Sequence, residues 1–60
     1  MKKMIKLFDD VRRDSIERHV NDFLDILDRQ EHAEIVDIRY NTYVNEHGHD
    51  IWTVMVIYEE

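Results

Sequence analysis

Three features of the sequence predict an α+β domain with the element order β-α-β-β. The run Ile51-Trp52-Thr53-Val54-Met55-Val56-Ile57-Tyr58 carries bulky residues at both alternating positions, so either face of that strand is apolar. It reads as a central strand. Ile16, Val20, Phe23, Leu24 and Leu27 follow the i, i+4, i+7, i+8, i+11 spacing of one helical face, with Ile26 on its flank. The only glycine, Gly48, lies between two strand-like runs and marks a hairpin.

The elements follow in order as one domain over residues 1–60. A first strand is expected over about residues 2–8, with Ile5 and Leu7 as its core pair. Asp9 and Asp10 end it and offer carboxylates to the start of a helix over about 11–31. Asp14 to Arg18 and Asp25 to Arg29 are acid-before-base pairs at i, i+4 that support that helix. Ser15, the only serine, reads as a cap.

A second strand over about 34–44 alternates, with Val36, Ile38 and Tyr40 pointing one way and Asp37, Arg39 and Asn41 the other. The tip spans 45–50 and the last strand about 51–59. A three-residue loop Glu46-His47-Gly48, with glycine in the left-handed region, would pair Tyr40 with Val54 and Ile38 with Val56. Trp52, Val54, Val56 and Tyr58 then face the helix. A two-residue loop would reverse this parity. A right-handed crossover makes strands 1 and 2 parallel, and strand 3 between them gives the order 1-3-2.

One helix covers one face of such a sheet. The other face is left with Ile51, Met55 and Ile57, with Phe8 and Tyr43 as expected neighbours. A contiguous apolar patch of this kind marks an interface, so a homodimer or higher oligomer is predicted.

Composition narrows the chemistry. The formal charge of −6 disfavours direct nucleic-acid binding, which needs a basic surface. With no cysteine, disulfides, thiolate metal sites and cysteine catalysis are all closed. No long apolar run suggests a membrane span, and a cytoplasmic protein is expected.

His47, His49 and Asp50 are metal-ligand types, but no distant third ligand accompanies them and they read as a polar hairpin tip. Asp14, Glu17, Asp22, Asp25 and Asp28 line an acidic helix face, which is a solvated surface or, alternatively, an acidic mimic of nucleic acid diluted by Arg18 and Arg29. Trp52 and Tyr43 could stack a flavin or nucleotide at a subunit junction, although packing is the plainer role for both. No catalytic constellation is evident, so a non-enzymatic protein without a cofactor is expected.

Lys6-Leu7-Phe8-Asp9, Ile16-Glu17, Val20-Asn21, Phe23-Leu24, Val36-Asp37-Ile38-Arg39-Tyr40 and Val54-Met55-Val56-Ile57-Tyr58 together resemble the small sporulation protein family of Bacillus-type bacteria. The resemblance spans nearly the whole chain and rests mainly on apolar positions. It implies expression in the mother cell and relatives in phages, but supplies no catalytic residues. By element order alone the chain also resembles the flavin-storing dodecins. The leading expectation is therefore a small oligomeric protein acting through a protein partner or its own copies, with ligand sequestration and nucleic-acid mimicry as the alternatives.

Overall fold

The computed structural model describes residues 2–60 and has the order β1 (Lys3–Asp10), α1 (Arg13–Asp28), β2 (Glu34–Val44) and β3 (Asp50–Glu59). The sheet order is β1-β3-β2, with β3 antiparallel to both neighbours. Each outer strand therefore keeps one unpaired edge.

The hairpin sets the parity of the whole sheet. The Gly48 N–H donates to the Asn45 carbonyl at 3.0 Å and the Asn45 N–H to the His49 carbonyl at 2.9 Å, enclosing the three-residue loop Glu46-His47-Gly48. Gly48 has φ +78°, where a side chain would be strained. Asn45 contributes a further device that sequence reading missed: its Oδ1 accepts the N–H groups of both His47 and His49 at 2.9 Å. The result is the expected register, with Tyr40 opposite Val54 and Ile38 opposite Val56.

Even-numbered β3 residues accordingly face α1. Ile16, Val20, Leu27, Val56 and Tyr58 form the buried core, and Met4, Phe8, Phe23, Leu24, Trp52 and Val54 pack around it. Val56 is fully enclosed, at 0 % exposure. Phe23 links the layers, with its ring 5.7 Å from that of Phe8 and 5.4 Å from that of Tyr58.

Strand β1 reverses an expectation. Met4 pairs with Tyr58 and Phe8 with Val54, so both lie on the helix side, while Ile5 and Leu7 pair with Ile57 and Met55 on the opposite face. Ile5 and Leu7 are thus not a core pair, and Phe8 is not on the open face. Even parity in β1 also includes Lys6, which looks polar in sequence. Its ammonium lies over the Phe8 and Phe23 rings, 5.8 and 5.9 Å from their centroids, so a lysine on the helix side keeps its charge at the edge of the core.

Strand β2 departs from simple alternation. A bulge between Ile35 and Asp37 holds Val36 out of register. The helix lies mainly over β1 and β3. Ile38 and Tyr40 therefore stay exposed on the helix side, Tyr40 at 80 %.

The helix starts at Arg13 with Arg12 as N-cap, and among the described residues no side chain makes a cap hydrogen bond there. Neither Asp14–Arg18 nor Asp25–Arg29 is an ion pair among the described residues. Arg13 instead reaches Glu17 at 3.7 Å, and Asp14 is engaged by Arg12 at 3.4 Å. All of these side chains are solvated, where such pairs contribute little.

Asp10 organises the strand-to-helix turn. Its Oδ1 accepts the Arg12 N–H at 3.1 Å, and His19 Nδ1 lies 4.0 Å from Oδ2. The Ser15 hydroxyl first, and then the Arg12 N–H, hold the carboxyl below its ordinary 3.8. Ser15 is the third residue of α1 and therefore not its N-cap. A depressed carboxyl contributes stability above its unfolded pKa and loses it as pH falls through the folded value. Asp10→Asn should accordingly be less stable than wild type at pH 7 and lose less as pH falls below about 4. Urea midpoints of the two proteins across that range test this, and parallel losses would count against the assignment.

Candidate functional site

The face turned away from α1 is built from odd-numbered residues in three ranks. Strand β1 contributes Lys3, Ile5, Leu7 and Asp9, and β3 contributes Ile51, Thr53, Met55, Ile57 and Glu59. Strand β2 contributes Asp37, Arg39, Asn41 and Tyr43. Period-two alternation is what collects them, since each strand presents every second side chain here.

The apolar character is concentrated towards β1. Leu7 is 71 % exposed and Ile5 59 %, beside half-buried Met55 and Ile57. Tyr43 is exposed on the same face. Ile51 is already buried, at 8 %, next to a dent lined by Asp9, Asp10 and Val11. It therefore adds little new surface to any contact. A shallow depression of about 370 Å³ runs across the middle of the face, lined by Leu7, Asp9, Arg39, Asn41, Thr53 and Met55 among others.

The β2 rank is polar and ordered. Asp37 Oδ2 accepts the Arg39 Nε–H at 2.9 Å, and Oδ1 accepts the Ile38 N–H at 2.8 Å. The Arg39 guanidinium is the main reason that the Asp37 carboxyl lies below its ordinary value. Beside it, Thr53 Oγ1 donates to the Asn41 carbonyl at 3.1 Å and ties β3 to β2.

The remaining sequence candidates are scattered. Asp14, Glu17, Asp22, Asp25 and Asp28 are all exposed on α1. Trp52 packs against the helix-side core, whereas Tyr43 stands on the opposite face, so one protomer cannot clamp a planar ligand between them. His47 and His49 direct their backbone N–H groups into the turn, and the His47 ring lies 3.7 Å from Glu46. No group of three or more metal-ligating side chains converges among the described residues. Among the described residues, no helix is long and apolar enough to cross a membrane.

The largest feature missed in the sequence is the placement of Ile5 and Leu7. Its signal lies in the pairing with β3: once even residues of β3 face the helix, antiparallel register against β1 sends Ile5 and Leu7 outward.

Fold and face together define a small split β-α-β protein that presents one sheet face, apolar along β1 and β3, to its surroundings. Its sequence agrees with a family model over residues 1–60, and the chain belongs to the Sporulation protein Cse60 family. That membership associates it with sporulation. No curated protein and no solved structure is significantly similar to it.

Proposed function

We propose that the chain is a cytoplasmic, non-enzymatic sporulation protein that self-associates through the open sheet face and acts through protein contacts. The observation that carries this reading is the exposure of Ile5 and Leu7 beside Met55 and Ile57. Four large side chains on adjacent strands form a contiguous patch, and such patches are uncommon on proteins that work alone. A face about eight residues long and three strands wide covers roughly 400 Å² per protomer, at about 3.4 Å per residue and 4.8 Å per strand. About half of the outward positions are apolar, so burying that part, roughly 200 Å², favours association by about 5 kcal/mol per protomer before the costs of ordering, at about 25 cal/mol per Å². The total of roughly 800 Å² is below the about 1,200 Å² of stable specific interfaces, so the association is expected to be weak and concentration-dependent.

Sedimentation equilibrium with native mass spectrometry tests the reading. Wild type should be dimeric or larger at high micromolar concentration, and Met55→Asp should be monomeric with an unchanged circular dichroism spectrum. A monomeric wild type would sink the proposal. The same mass spectrum separates the ligand-storing alternative, which requires a retained small molecule.

A further inference from the structure

The open face carries its charges in an order that its own copy can read. On either side of the rung Lys6–Val56–Ile38 lie two rungs of outward side chains, Leu7–Met55–Arg39 and Ile5–Ile57–Asp37. One step further out lie Asp9–Thr53–Asn41 and Lys3–Glu59–Glu34. Reversing the strand direction about the central rung exchanges Leu7 with Ile5, Met55 with Ile57, Arg39 with Asp37, and Asp9 with Lys3. Apolar positions exchange with apolar ones, and these two charges exchange with opposite charges.

We propose that a second copy of this chain docks on the open face about a two-fold axis perpendicular to the strands at the Lys6–Val56–Ile38 rung. Asp37 then faces Arg39 of the second copy, and Asp9 faces its Lys3. This assignment rests on the reading that the open face is where the chain self-associates, and it adds the symmetry and the pairing.

Other two-fold arrangements are worse. An axis parallel to the strands would lay β1 on β2 of the copy, placing Ile5 and Leu7 against Asp37 and Arg39 and desolvating charge on an apolar surface. Moving the perpendicular axis by one residue would set Arg39 over Arg39, or Asp37 over Asp37, and like charges facing each other oppose association. Centring it on Val56 avoids both. Stacked sheets keep their strands within about 30° of one another, so the correspondence is closest near the axis and looser at the corners. Asp37 and Arg39 are already paired within one protomer at 2.9 Å, so docking joins two such pairs into a four-membered ring of alternating charge.

Charge reversal tests the pairing. Arg39→Asp gives a face with two acids at these positions and Asp37→Arg one with two bases, so each alone should weaken dimerisation by about tenfold or more. Mixed in equal amounts, the two variants should form a one-to-one heterodimer in native mass spectra, and the double variant Asp37→Arg/Arg39→Asp should dimerise with itself. Should a β2 variant fail to fold by circular dichroism, Lys3→Asp and Asp9→Lys supply the same test on β1. Wild-type-like dimerisation of Arg39→Asp, or a mixture of folded variants that stays monomeric, would overturn the proposal. If Met55→Asp is monomeric while the mixture also stays monomeric, the face is retained and this axis falls. A monomeric wild type overturns both.

Discussion

Leu27→Ala is expected to destabilise the protein by about 3 kcal/mol, within the roughly 2–5 kcal/mol typical of buried leucine truncations. Leu27 is 3 % exposed and belongs to the cluster that joins the last turns of α1 to Val56 and Tyr58. Leu27 itself lines a surface hollow with Leu24, Ala33, Glu34 and Ile35, so truncation widens an opening to water and does not leave a closed cavity, which keeps the cost below the top of that range. A 60-residue domain has only about 3–9 kcal/mol in total, at about 0.05–0.15 kcal/mol per residue. The loss therefore takes a large share of the whole, and the melting point should fall by more than about 10 °C. Ile26→Ala is the matched control, because Ile26 is largely exposed on the flank of the same helix. Its cost should stay within about 1 kcal/mol. Equal costs at the two positions would mean that α1 is seated differently on the sheet.

Thermal stability of the wild-type chain should also rise with its own concentration. Only the folded state can present the open face, so association draws on the native population by mass action. Raising concentration from well below the dissociation constant to about a hundredfold above it should add about 1.6 kcal/mol per protomer, because free monomer then stands only about sevenfold above that constant, or roughly 6–13 °C for a domain of this length. Met55→Asp should melt at one temperature throughout the series, since it places a charge in the middle of the apolar rank formed with Leu7 and Ile57. Differential scanning calorimetry over three decades of concentration measures both, and a flat wild-type series would exclude self-association.

The parity of β3 was readable because local chemistry decides it. One glycine at a position needing positive φ sets the loop length, and the loop length sets which side chains of Ile51–Tyr58 meet the helix. The helical stripe was readable for a similar reason: Ile16, Val20 and Leu27 recur at helical spacing and are the residues that α1 buries. Strand β1 was not, because Ile5 and Leu7 are as apolar as Met4 and Phe8, and Lys6 disguised the buried parity. Only the long-range pairing with β3 resolves it. The candidate site was legible in Met55, Ile57 and Tyr43, which do share the open face, but its most exposed part lies on β1. The roles of Asp10 and Asn45 likewise depend on turns whose geometry sequence pattern does not reveal.

The Cα trace measures 42 × 19 × 11 Å, and that least dimension has a dynamic consequence. A slab this thin has no deep interior: every core side chain is one layer from water, and among the described strands β3 alone has hydrogen-bonded neighbours along both edges. Local opening can start at β1 or β2 and leave β3 paired on its other side, whereas releasing β3 dissolves both ladders at once. Breathing of the outer strands is therefore a separate event from unfolding, and β3 is the segment that moves last.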